Sequence, residues 1–161
     1  MALRNKIIII VSIFVCFISD RITKIIAINF FLKNSSESFY YNSYLNFILT
    51  WNKGIAFGIL ESENIYYHII SGIIFFILAF IIFQLINSKF FVEKFSFALI
   101  FGGALGNFFD RIYYGSVPDF IDFHFKDYHW FIFNLSDIWI TLGIVLLIIF
   151  ELSNFKKNNE K

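Results

Sequence analysis

From Ile65 to Ser88 the chain runs without one Asp, Glu, Lys or Arg. A helix rises about 1.5 Å per residue, so this stretch alone spans the ~30 Å hydrocarbon core of a bilayer. A segment of that kind admits few folds, because backbone polar groups inside lipid have to be satisfied within the helix itself. The rest of the chain agrees. It is 58% hydrophobic and 22% aromatic, with a mean hydropathy of +0.72. Only 16% of its residues are charged, where a soluble domain carries about a quarter. The chain is read as an all-α integral membrane protein.

Three further apolar segments flank the first. One begins after Arg4 and Lys6 and covers about 7–31, one covers 95–114, and one covers 133–151. With 65–88 they make four transmembrane helices in a single membrane domain, 1–161. Both chain ends and the 89–94 turn then lie on one side. That side carries Arg4, Lys6, Lys89, Lys94, Lys156, Lys157 and Lys161, a modest excess that places both termini in the cytoplasm. Segments 32–64 and 115–132 are left extracytoplasmic. A cleaved lipoprotein signal ending at Cys16 is excluded, because Phe14 and Val15 are too bulky for such a site and the apolar run resumes beyond Asp20. Cys16 has no second cysteine to pair with. A formal charge of +1 without a basic stripe gives no reason to expect a nucleic-acid partner.

The two outer segments are rich in Tyr, Trp and Phe, as befits chain lying at a lipid–water boundary. In the first, Phe39, Tyr41 and Leu45 alternate only loosely. In the second, Val117, Asp119, Ile121 and Phe123 would share one side of a strand.

The polar residues are not scattered. Asp20, Thr23 and Lys24 share one helix face, as do Gly103, Asn107 and Asp110, with Arg111 beside them. Asn134, Asp137 and Thr141 share a third. Gly102 and Gly106 form a small-xxx-small pair that lets helices approach closely. Three helices thus each bring an Asp toward the outer end, and Asp119 adds a fourth. Salt bridges such as Asp20–Lys24 or Asp110–Arg111 would account for any one of them. Four at one level point to a site. Ser116 lies in no nucleophile elbow, and adjacent Thr23 and Lys24 do not face each other on a helix. His68, His124 and His129 lack metal-ligand spacing and read as interfacial residues, so neither metal nor cofactor is expected. Carboxylates remain. Two held close share a proton, and the pair can activate water while polarising a carbonyl, which is aspartic peptidase chemistry. Which two aspartates form the pair is left open by this reasoning. A proton-coupled transporter and a non-catalytic membrane assembly protein are the rival classes.

The ordered stretches SDRITK (19–24), NKGIAFG (52–58), GGALGNFFDR (102–111), VPDFIDF (117–123) and FNLSDIWITLG (133–143) resemble the motifs of lipoprotein signal peptidase, the type II signal peptidase of bacteria (aspartic peptidase family A8). The resemblance implies a catalytic dyad at Asp119 and Asp137. It implies supporting or substrate-binding roles for Asp20, Lys24, Asn52, Gly54, Asn107, Asp110, Arg111 and Asn134. It also implies a small extracytoplasmic sheet within 32–64 that cradles substrate, with a short extracytoplasmic segment between helices 3 and 4. The substrate it implies is a diacylglyceryl-modified prolipoprotein, cut just before the lipidated cysteine. The setting is the bacterial cytoplasmic (inner) membrane among membrane lipid, with the active site near the extracytoplasmic face and a monomer as the expected unit. Three positions depart from the family's usual pattern: Arg21 replaces Gln, Pro118 replaces Val, and Ser136 replaces Ala. Ser136 could add a hydrogen bond to a carboxylate, and Pro118 removes a backbone donor just before Asp119.

Overall fold

The computed structural model describes residues 2–34, 38–53, 64–125 and 128–159. Gly54 and most of its motif lie outside the described residues. Among these residues four helices and four strands follow one another: α1 (Leu3–Asn34), β1 (Ser38–Asn42), β2 (Leu45–Asn52), α2 (Asn64–Asn87), α3 (Phe91–Tyr114), β3 (Val117–Phe125), β4 (Tyr128–Phe133) and α4 (Leu135–Asn159).

Polarity is reversed relative to a soluble bundle. Lys24, Asp20, Asp110 and Asn134 are completely buried, whereas Phe76 is 73% exposed and Ile10, Phe14, Ile26 and Phe80 are also exposed. Water would reject such a surface, and lipid tails accept it. Within α2, Ile69–Asn87 is long and apolar enough to cross a membrane, as is Leu135–Lys157 within α4. Helices α1 and α3 are as long, but their middle and outer turns carry the buried charges Asp20, Arg21, Lys24 and Asp110.

Helix α3 lies at the centre and packs on the other three. Lipid offers no hydrophobic force to press helices together, so close fit has to do it. Gly102 is where α3 meets α1. A Cβ there would stand 2.7 Å from the Cβ of Cys16 and 2.8 Å from the Ile13 carbonyl oxygen. Cys16 is accordingly a buried packing residue. The helix ends at Gly115, whose φ of 71° is the left-handed conformation that caps a helix, and its N–H donates to the Arg111 carbonyl. The chain turns there into β3.

All four strands form one antiparallel sheet in the order β1-β2-β3-β4. The small sheet expected within 32–64 therefore draws half its strands from the second outer segment. That segment is a hairpin and not a plain connection. Strand β3 is buried on both faces over Val117–Phe120, where β2 pairs with it and α1 and α3 approach it. Its alternation is correspondingly blurred. Register pairs Asn52 with Val117, Trp51 with Pro118 and Thr50 with Asp119. Pro118, second in its strand, sits where the missing donor costs the ladder little.

Gly102→Val is expected to destabilise the protein by about 2 kcal/mol or more through overpacking against α1. Gly72→Val, at a position with nothing within 4 Å, should leave the melting temperature in detergent within a degree or two. Equal melting temperatures for the two variants would refute the close-contact reading.

Candidate active site

The site begins with a lysine that has no access to solvent. From α1, Lys24 Nζ donates to Asp110 Oδ2 on α3 at 2.6 Å and to Asn107 Oδ1 at 2.8 Å. It also lies 2.9 Å from Asp20 Oδ2, one turn back on its own helix. The ammonium thus donates two hydrogen bonds and forms ion pairs with two carboxylates, the compensation a buried charge needs to be tolerated. Asp110 takes a second cation on its other oxygen, the guanidinium of Arg21. Of the two salt bridges weighed from the sequence, Asp20–Lys24 forms. Asp110 turns to Arg21 and Lys24 instead of Arg111, whose Nη1 donates to the Asn107 carbonyl at 3.1 Å. The reason is geometric: adjacent residues on a helix diverge, whereas α1 presents both cations across the interface.

Asn107 passes this arrangement on. Because lysine can only donate, the amide oxygen faces Lys24 and the amide nitrogen is left to donate to Asp137 Oδ1, at 2.9 Å. Asp137 is the third residue of α4, and its other oxygen accepts the backbone N–H of Asn134 at 3.0 Å. Asn134 Oδ1 in turn accepts the N–H of Asp137 at 3.3 Å. These reciprocal bonds form a capping box, satisfying donors that the start of a helix leaves unpaired. The N–H of Ser136 goes to Asp20 Oδ1 at 3.0 Å, so α1 supplies part of the cap of α4.

With its oxygen committed to the cap, Asn134 has only its amide nitrogen free to point outward. That nitrogen donates to Asp119 Oδ1 at 2.5 Å, and Asn52 Nδ2 donates to Asp119 Oδ2 at 2.9 Å. One asparagine therefore bonds both Asp119 and Asp137. Burial pushes the Asp119 carboxyl up to about 6, and the nearby Asp137 charge adds to the rise; the two amide donors and the Lys24 charge oppose it.

The structure brings together Asp20, Lys24, Asn52, Asn107, Asp110, Asp119, Asn134 and Asp137, and Arg111 touches the set through a backbone carbonyl. Asp122 faces the other way along β3. It is buried 3.7 Å from His124, outside the cluster. Thr141 forms no part of the network but lines a cleft of about 250 Å³ with Phe131, Phe133, Asp137, Ile138 and Leu142. Two contributors escaped the sequence reading. Arg21 could have been found from its i, i+3 spacing to Lys24. Trp139, whose indole N–H donates to Ser19 Oγ at 3.1 Å, carried no sequence signal. The bond expected of Ser136 is absent: its fully buried hydroxyl has no hydrogen-bond partner among the described residues.

Ser136→Ala is therefore expected to be neutral or stabilising by up to about 1 kcal/mol, since it removes an unsatisfied buried hydroxyl. Loss of more than 1 kcal/mol in detergent melts would contradict the geometry. For Asp119 the sign follows from its raised carboxyl. Between the unfolded value of 3.8 and about 6 the folded state binds more protons, so stability falls as pH rises through that window. Above it, Asp119 costs on the order of 3 kcal/mol. Asp119→Asn should then melt higher than the parent at pH 8, with the difference vanishing near pH 4. The asparagine can keep its oxygen toward Asn134 and turn its NH2 to a reversed Asn52 amide. An equal difference at both pH values would contradict the burial.

The sequence profile described as signal peptidase (SPase) II matches residues 12–153. A lipoprotein signal peptidase of Pelagibacter ubique (strain HTCC1062) is 45% identical over 99% of this chain and 96% of its own. Those of Francisella tularensis subsp. mediasiatica and Anaplasma phagocytophilum are 42% and 36% identical, over 87% and 93% of this chain and 88% and 95% of theirs. A solved bacterial membrane enzyme superposes with a TM-score of 0.70 at 30% identity, covering 98% of this chain and 93% of its own. The chain belongs to the signal peptidase II family.

Proposed function

We propose that this signal peptidase II is an aspartic endopeptidase whose catalytic pair is Asp119 and Asp137. Its substrates are prolipoproteins carrying a diacylglyceryl cysteine, cut just before that cysteine. The observation that carries the assignment is Asn134. Its amide nitrogen holds one carboxylate and its backbone N–H the other, tying the two acids to a common reference. Among the described residues Asp119 and Asp137 are held by neutral amide donors, whereas Asp20 and Asp110 are engaged by the cations Lys24 and Arg21.

In this reading the pair shares one proton. The ionised member takes a proton from the attacking water while the protonated member donates to the scissile carbonyl oxygen. Collapse of the tetrahedral intermediate returns a proton to the leaving amine. Asn52 and Asn134 orient Asp119, Asn107 and the α4 cap orient Asp137, and the Lys24 cluster braces Asn107. The cleft beside Asp137 leaves room for substrate next to the pair. All four helices cross the membrane, with the termini cytoplasmic and the sheet and dyad at the extracytoplasmic face. The dyad then meets an exported substrate at the level where lipid anchors it, and the anchored substrate needs a smaller orientational search.

Either Asp119→Asn or Asp137→Asn is expected to lower cleavage of a diacylglyceryl-modified prolipoprotein by at least about a thousandfold, with the double variant little worse than either single one. The parent enzyme should keep its activity in EDTA, since the carboxylates themselves perform the chemistry. A cleaving Asn variant, or activity abolished by EDTA and restored by zinc, would overturn the assignment. Topology is checked separately. In β1, Tyr40 is 66% exposed and Cys16 is buried, so Tyr40→Cys should react with a membrane-impermeant maleimide from outside the cell. Labelling only from the cytoplasmic side would reverse the orientation.

A further inference from the structure

The Lys24 cluster contains two acids and two bases, and the second base is Arg21. Its side chain is only 10% exposed, its guanidinium pairs with Asp110, and it stacks over the Phe109 ring at 4.9 Å. It touches neither dyad carboxylate. Without it, Asp20 and Asp110 would confront Lys24 alone, leaving one net negative charge buried behind the dyad. Asp20 Oδ1 accepts the Ser136 amide next to Asp137, and Asp110 connects to Asp137 through Lys24 and Asn107, so an uncompensated anion in the cluster would act on the pair in a low-dielectric setting.

We propose that Arg21 is a positioning residue that keeps this buried cluster electrically neutral, so that Asp110 and Lys24 hold Asn107, and through it Asp137, in alignment without raising the negative potential at the dyad. The proposal rests on the Asp119–Asp137 assignment. Among the described residues, the charged and titratable groups that face or flank the dyad are Asp20, Arg21 and Lys24 from α1, Asp110 and Arg111 from α3, Asp122 and His124 further along β3, and the exposed Lys53 just after β2. Arg21 is the member whose loss changes the sum behind the dyad while leaving every hydrogen bond of Asn107 in place. Because the guanidinium lies behind the cluster, the effect should appear in the protonation of the pair and not in substrate affinity.

The test is the pH profile of kcat/KM for purified full-length enzyme, in detergent, on a diacylglyceryl-modified prolipoprotein. A dyad that must retain one proton gives a basic limb as the second proton is lost. In Arg21→Gln this limb is expected to move up by about half a unit to one unit, with KM changed less than twofold. Arg21→Lys keeps the charge and should keep the parent limb. In the double variant Arg21→Gln/Asp110→Asn the cluster is again neutral, and its limb should return to the parent position even though the guanidinium is gone. An unmoved limb in Arg21→Gln, or a limb still displaced in the double variant, overturns the proposal. Should Arg21→Gln fail to accumulate, the double variant is expected to recover, since the unpaired carboxylate has been removed; a double variant failing equally also overturns it. A parent enzyme with no basic limb between pH 5 and 9 would instead remove the dyad assignment on which the proposal stands.

Discussion

A lysine ammonium sealed inside a helix bundle is the point from which this structure is organised. Lys24 is completely buried, so each of its contacts is electrostatically stronger than it would be at a surface, and each missing contact would be correspondingly costly. Its partners are distributed over α1 and α3, and one of them, Asp20, reaches on to the first turn of α4. The position of α4 relative to α1 is thereby set by polar bonds, while the glycine contacts of α3 bring the backbones near enough for those bonds to form.

On the proposed Asp119–Asp137 assignment, charge and chemistry are separated within this arrangement. Lys24, Arg21, Asp20 and Asp110 form an ionic layer in which cations and anions cancel. Beyond it lies a layer of amides: Asn107, Asn134 and Asn52. Only past the amides come Asp119 and Asp137. Amides transmit geometry without bringing full charge, so the two carboxylates are oriented by donors and not clamped by a cation. A guanidinium placed directly on Asp119 would hold it ionised, and proton sharing would be lost.

Much of this was legible in the sequence, and for stated reasons. Helix positions followed from long apolar runs, unbroken only in 65–88, and the inward faces of α1 and α3 from polar residues spaced three and four apart. The convergence of Asp20, Asp110, Asp119 and Asp137 followed from their common level. The motifs singled out Asp119 and Asp137 among them, which physical reasoning alone did not. The β3–β4 hairpin was only half legible, because β3 is covered on both faces over Val117–Phe120, and that erases the period-two pattern. Aromatic residues also suit an interface and a strand equally well. Asn134 three residues before Asp137 does resemble a capping box, but no sequence pattern says where the other end of its amide points. Arg21 and Trp139 act across helix interfaces, and spacing within one helix does not reveal partners on another.

The cap of α4 joins two properties that most enzymes keep apart. The amides of Ser136 and Asp137 are held by Asp20 and Asn134, and the same residues fix the dyad. Helix ends are the first parts of a helix to fray, opening locally long before the whole protein unfolds. Here one turn of fraying would release Asp137 from Asn134 and Asn134 from Asp119 in a single event. On the proposed Asp119–Asp137 assignment, hydrogen exchange at those two amides would report the lifetime of the assembled pair, and the heat tolerance of activity would depend on one helical turn more than on the bundle that supports it.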